Sequence, residues 1–347
     1  MKLSALDYDL PEEKIAKFAP EVRGTTRLLV CSKNDERIDD DYYAKLDQYL
    51  MPGDVVVLNN TRVIPARITF YTSSGRQIEL LLTEKHGATV AENTWNVMYR
   101  GKLQAGDILK NEQDHIAIID EILGNGLACV SFSQHPLSIA KQTGKIPIPP
   151  YFNRDQVEAD VERYQTQFAL HDGSVAAPTA SLNFTSDLIL RLEKKGVIIQ
   201  YITLHVGLGT FLPVRSDDTE EHTMHSEYFE VATSVLDAIK NAQSIGKKVL
   251  AVGTTVVRTL EYIFANNLEN SEQNIVTGEA NIFITPGFKF QACDMILTNF
   301  HAPRSTPLLL VCAALSIQKY HQVYAHALSR DYQFLSYGDS MLITNVR

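Results

Sequence analysis

Residues 62–150 read differently from the chain on either side of them. Short β-branched and aromatic runs at 64–70, 77–83, 94–99, 107–109, 116–119 and 127–132 are separated by glycine-bearing turns, with no convincing helix among them. This is the pattern of a small all-β barrel or sandwich. The flanking sequence alternates apolar strands with amphipathic helices, as α/β layers do. A β unit enclosed in this way constrains the chain to an insertion. The reading predicts a mixed α/β protein, with a larger barrel-like α/β domain built discontinuously from 1–61 and 151–347 and a small β-barrel at 62–150. The run Ile146-Pro147-Ile148-Pro149-Pro150 makes an extended connector at the end of the insertion. At 347 residues, 45% of them hydrophobic, the chain has material for two such units.

In the flanks, helices are expected at 41–50, 187–195, 234–245, 256–262 and 308–319, and strands at 55–58, 197–204, 248–252, 282–285 and 295–298. Three of these strands end in polar residues. The first runs into His205-Val206-Gly207-Leu208-Gly209-Thr210, the second into Gly253-Thr254-Thr255, and the third into Asn299, His301, Arg304 and Ser305. Ligands of α/β folds bind outside the carboxyl ends of strands, so the three tips are expected to converge. Gly207 and Gly209 allow close backbone approach, while His205 and Thr210 supply exchangeable protons. The stretch is not a dinucleotide fingerprint, because Pro213 follows where a helix should begin, and it lacks the Gly-Lys-Ser/Thr of a P-loop. Gly253-Thr254-Thr255 opens a helix whose free N–H groups suit a carboxylate or phosphate, or else supplies an ordinary threonine cap.

The formal charge of −9 argues against nucleic-acid binding by net attraction. Local charge differs, since 55–78, 122–154 and 295–330 contain no Asp or Glu. Arg62, Arg67, Lys141, Lys145, Arg154 and Arg304 lie in these stretches and are the candidate contacts to a polyanion. The four cysteines show no metal or redox spacing, the N-terminal residues do not resemble a signal peptide, and no apolar run is long enough to span a membrane. A soluble cytoplasmic protein is expected.

Longer motifs add to this. Gly173-Ser174-Val175-Ala176-Ala177-Pro178-Thr179-Ala180, Leu204 to Phe211, Met224-His225-Ser226-Glu227, Val252-Gly253-Thr254-Thr255, Thr298-Asn299-Phe300-His301 and Ser336-Tyr337-Gly338-Asp339 stand in a distinctive order, preceded by Arg62-Val63-Ile64-Pro65-Ala66-Arg67. In these the chain resembles the S-adenosylmethionine:tRNA ribosyltransferase-isomerases of queuosine biosynthesis, over residues 6–343. It departs from the pattern at Gly24-Thr25-Thr26, Ser174, Ser181-Leu182-Asn183, Leu212 and Ala302-Pro303-Arg304. The resemblance implies a β-barrel inserted into a larger α/β domain. It also implies transfer and isomerisation of the ribosyl part of S-adenosylmethionine onto a 7-aminomethyl-7-deazaguanine in tRNA, which yields epoxyqueuosine and releases adenine and methionine.

That chemistry needs a base, a proton donor for adenine and tolerance of a sulfonium. S-adenosylmethionine is consumed as substrate, and neither a cofactor nor a metal is expected. His205 and Glu227 are the candidate bases, and His225 and His301 the candidate donors. Tyr337 and Asp339 are candidates to face the sulfonium. Gly207, Gly209, Thr210, Thr254, Thr255, Arg258 and Asn299 complete the expected substrate site. The expected partners are tRNA and S-adenosylmethionine, for a monomer. Two rival readings carry less. A hydrolase metal site from His222, His225, His205, Asp172 and Glu227 lacks the helical His-Glu-x-x-His spacing, and a tRNA-binding module without catalysis leaves the polar strand tips without a purpose.

Overall fold

In the computed structural model, which describes residues 2–83, 93–207 and 226–347, the chain begins with β1 (Arg27–Ser32), β2 (Ile38–Tyr42), β3 (Val55–Asn59) and β4 (Thr61–Val63). The barrel strands follow: β5 (Arg67–Tyr71), β6 (Gln77–Leu82), β7 (Thr94–Arg100), β8 (Ile108–Lys110), β9 (Ile116–Gly124) and β10 (Leu127–Phe132). They close in the order β10-β7-β6-β5-β8-β9. Their inward positions alternate strictly along β5, β6 and β10, so Ile68, Phe70, Ile78, Leu80, Leu82, Ala128 and Val130 fill the interior. A helix does lie in this region, contrary to expectation. It is α1 (Pro136–Thr143), which packs Ile139 and Ala140 onto the barrel core. Its start is hard to read because the cap is a histidine, His135, whose Nδ1 accepts the Leu137 N–H at 3.3 Å.

After α2 (Glu158–Arg163) and β11 (His171–Ser174), the chain continues through α3 (Ser186–Lys194), β12 (Ile198–Leu204), β13 (Glu227–Ala232), α4 (Thr233–Ser244) and β14 (Val249–Val252). It ends with α5 (Thr254–Ala265), β15 (Ile275–Ala280), β16 (Met295–Asn299), α6 (Thr306–Leu315), α7 (Ile317–Ser329) and β17 (Ser340–Thr344). Nine strands form one sheet in the order β15-β13-β12-β3-β14-β16-β17-β1-β2. Among the described residues this sheet has two ends, and closure belongs to the inserted unit alone. β3 reads Val-Val-Val-Leu-Asn and is buried at every position, because it runs parallel between β12 and β14 with layers on both faces. On one face Val57, Ile202 and Ala251 pack with α4 to α7, and on the other Val56, Leu58 and Leu250 pack with α3.

Other expectations are corrected in detail. Residues 282–285 form no strand, and the strand of that region is β15 upstream. The expected helix at 41–50 is a 3-10 turn at Tyr43–Tyr49, with Asp41 in β2. The expected helix at 308–319 is two helices. Ser316, at φ 108°, breaks the run, and its Oγ caps α7 by accepting the Lys319 N–H at 3.2 Å.

Candidate functional site

The carboxyl ends of β12, β14 and β16 meet at a cavity of about 120 Å³. Val206 comes from the first, Gly253, Thr254 and Thr255 from the second, and Thr298, Asn299 and His301 from the third. The convergence expected from the polar strand ends is therefore present. Residues 176–180, Tyr151, Tyr164 and Ser336 close the cavity. This space is smaller than the ~300–1,000 Å³ usual for ligand pockets, so its described walls are too small to enclose a ligand of ordinary size completely.

The β14–α5 turn explains its own glycine. Gly253 sits at φ 94°, where a side chain is strained, and it is the N-cap of α5, so the alternative of a threonine cap does not hold. Glycine brings no side chain to cap this helix, so among the described residues its first N–H groups stay available at the cavity wall. The Thr255 hydroxyl oxygen is buried beside them without a hydrogen-bond partner. Asn299 is held in place by the Thr179 hydroxyl, which donates to its Oδ1 at 2.8 Å. His301 Nε2 lies 2.7 Å from Thr298 Oγ1, and its backbone N–H donates to the Tyr324 hydroxyl at 3.1 Å. Burial pushes the His301 imidazole down to about 3, so it works at neutral pH as an uncharged hydrogen-bonding ring and not as an imidazolium.

His205 is separate from that cavity. The ladder between β12 and β13 continues through the His205 N–H, which donates to the Tyr228 carbonyl at 3.2 Å. Alternation along this ladder puts Leu204, Val206 and Glu227 on the cavity face and His205 on the opposite face. The two candidate bases thus do not share one face of the sheet. Glu227 is buried and ion-paired with Arg258 of α5, and its Oε1 accepts the Gly207 N–H at 3.4 Å. Arg258 also donates to the carbonyls of Ala280 at 3.0 Å and Ile282 at 3.3 Å. Gly209, Thr210, His222 and His225 lie outside the described residues.

Tyr337 and Asp339 are structural in this geometry and do not face the cavity. The Tyr337 hydroxyl donates to Asp160 Oδ1 at 3.0 Å while its ring stacks on Phe152. Burial raises the Asp339 carboxyl, which accepts the N–H groups of Arg27 at 2.7 Å and Gln333 at 2.8 Å. The six candidate cations are also less free than the acid-free sequence suggested. Arg62 and Lys141 both approach Asp172, at 3.9 and 2.8 Å. Arg67 lies 3.7 Å from Glu79, Arg304 binds Asp7, and the partly buried Arg154 pairs with the buried Asp160. Lys145 alone of the six has no ion pair among the described residues. The carboxylates come from other parts of the chain, which local sequence could not reveal. Tyr151, Tyr164 and Thr179 were not anticipated as cavity residues. Tyr151 had one signal, its place beside the proline-rich connector, and Thr179 another, its place inside the Gly173 to Ala180 motif, while Tyr164 had none.

Fold and site together define an α/β protein with an inserted closed β-barrel and a cavity at converging strand ends. A family model described as "Queuosine biosynthesis protein" matches residues 3–343, and the chain belongs to that family. It is 46% identical to the S-adenosylmethionine:tRNA ribosyltransferase-isomerase of Chlorobium chlorochromatii, covering 99% of this chain and 100% of that one. It is 39% identical to the enzyme of the same name from Thermotoga petrophila, over 99% and 100% of the two chains. The crystal structure of S-adenosylmethionine tRNA ribosyltransferase from Thermotoga maritima matches with a TM-score of 0.56 and 31% identity, over 98% and 99% of the two chains. Among the described residues no helix is long and apolar enough to cross a membrane.

Proposed function

We infer that this chain transfers and isomerises the ribosyl moiety of S-adenosylmethionine to 7-aminomethyl-7-deazaguanine in tRNA, giving epoxyqueuosine-tRNA with release of adenine and methionine. The observation that carries this reading is the family match over nearly the whole chain, joined to a cavity at the family's own motifs. In this reading part of S-adenosylmethionine occupies the cavity, with its methionine carboxylate toward the uncapped start of α5, where N–H groups and the helix dipole favour an anion. Neutral His301 and Asn299 orient polar groups of the substrate by hydrogen bonds, and His205 and Glu227 remain the candidates for proton handling. The protein acts as a cytoplasmic monomer without a cofactor, consuming S-adenosylmethionine as substrate.

The decisive assay is adenine release from S-adenosylmethionine, with and without tRNA carrying the 7-aminomethyl-7-deazaguanine base. Release that depends on the modified tRNA, with the ribosyl carbons recovered in the tRNA, is expected. Release without tRNA, or none with it, would overturn the reading.

A further inference from the structure

The His205 ring is held by two residues from distant parts of the chain. Thr61, at the start of β4, is fully buried, and its Oγ1 lies 2.7 Å from His205 Nδ1. The backbone of Gly173 in β11 comes so close to the ring that a Cβ there would stand 2.7–2.8 Å from Cε1, Nδ1 and Nε2. Real side chains do not tolerate that approach, so only glycine leaves the ring where it is. β4 and β11 pair with each other in parallel, His171 opposite Thr61, so the two contacts are fixed relative to one another. Asn59 ties the same group to the sheet. Its Oδ1 accepts the N–H groups of both Thr61 and Leu204 at 3.1 Å, and its Nδ2 donates to the Leu204 carbonyl at 2.9 Å.

The burial of Thr61 sets the direction of its hydrogen bond. Among the described residues its hydroxyl has one side-chain partner, His205 Nδ1. A buried hydroxyl proton without an acceptor costs free energy, whereas a hydroxyl oxygen retains lone pairs with little penalty. Thr61 therefore donates, Nδ1 accepts, and the neutral ring carries its proton on Nε2.

We propose that Thr61 and Gly173 are positioning residues that fix the His205 ring in one orientation and in its Nε2–H form, so that Nε2 acts as a donor and not as a base. This deepens the proposed function and rests on His205 touching the substrate in that reaction.

The test combines kinetics with a readout that does not need catalysis. Thr61→Val replaces the buried hydroxyl with a methyl of nearly equal size, and Thr61→Ser keeps the hydroxyl. Long-range ¹H–¹⁵N spectra of histidine-labelled protein, assigned with His205→Gln, report which ring nitrogen carries the proton. The wild type and Thr61→Ser are expected to show the Nε2–H form, and Thr61→Val a mixture of tautomers. For Thr61→Val, kcat should fall roughly tenfold or more, short of the ~10²–10⁴-fold a general acid or base contributes in full. Both KM values should stay within about twofold of wild type, a split that loss of fold does not produce. Gly173→Ala should displace the ring and reproduce the loss. An Nδ1–H form in the wild type, or a Thr61→Val spectrum identical to it, overturns the positioning role. Full activity in His205→Ala overturns the catalytic role of His205 instead, and the spectra still decide whether the clamp exists.

Discussion

Arg154 grips Asp160 through two parallel hydrogen bonds, Nη1 to Oδ2 at 2.7 Å and Nη2 to Oδ1 at 2.8 Å, in a setting almost closed to water. Phe18 and Phe152 sit on the guanidinium, 4.3 and 5.0 Å from it, and Tyr337 donates to the same carboxylate. This geometry makes Arg154 a structural residue rather than a phosphate contact. Removing one partner strands the other charge, so Arg154→Ala should destabilise the protein by roughly 3–5 kcal/mol. Urea unfolding reads this directly, and a wild-type midpoint would return Arg154 to the list of tRNA contacts.

The same pair carries a pH dependence. Burial pushes Asp160 up, but Arg154, the Val157 N–H and Tyr337 together outweigh it and hold the carboxyl below its ordinary value of 3.8. A lowered folded value means stability that is present above 3.8 and lost as the pH falls further, through the folded value. Acid unfolding of an Asp160→Asn variant should therefore be less steep below that pH, measured from its own lower starting stability.

His301 makes an opposite kind of statement. With its imidazole moved from 6.5 down to about 3, it contributes stability that is full above 6.5 and drains away between 6.5 and 3. It has no protonation change at neutral pH to offer the reaction. His301→Gln should thus lower kcat/KM while leaving the midpoint of the acid limb of its pH profile unmoved. A shifted midpoint would mean that His301 titrates in catalysis.

Binding of tRNA should fall steeply with salt, and the cations should not count equally. Lys145 makes no ion pair among the described residues, so Lys145→Ala should raise the KM for tRNA and reduce its logarithmic salt slope by roughly 0.7–0.9. Lys141 is already paired with Asp172 at 2.8 Å, and Lys141→Ala should change the slope less. The KM for S-adenosylmethionine should hardly respond to either. KM values at several ionic strengths decide this, and equal slopes for both variants would show that the Asp172 pair is no restraint.

What the sequence made legible was whatever depends on local period and punctuation. The inserted barrel follows from alternation between turns, and the three-way convergence follows from polar residues at strand ends, because in an α/β layer those ends share one edge. What it hid depends on partners far away in the chain. Nothing near Tyr337 announces that Asp160 will take its hydroxyl, and nothing near Lys141 announces Asp172. His205 and Glu227 looked like alternatives within one cluster because sequence distance says nothing about the face of a ladder. Their separation needed the register of β12 against β13.

The inferred chemistry has no step that calls for a metal ion. Turnover should survive exhaustive dialysis against a chelator. Loss of activity that zinc restores would revive the hydrolase-like reading.

The order of strands across the large sheet has a bearing on how the protein is made. β1 pairs only with β2 and β17 among the described residues, and β17 is what joins β1 to β16. During synthesis the barrel strands emerge as one uninterrupted stretch and can close early. Leu28 to Ser32, by contrast, must wait for Ser340 to Thr344, an interval of roughly 15–60 s at ribosomal speeds of ~5–20 residues per second. Throughout that interval the apolar strand Leu-Leu-Val-Cys can pair with β2 on one edge only, and its other edge stays open until β17 has been translated.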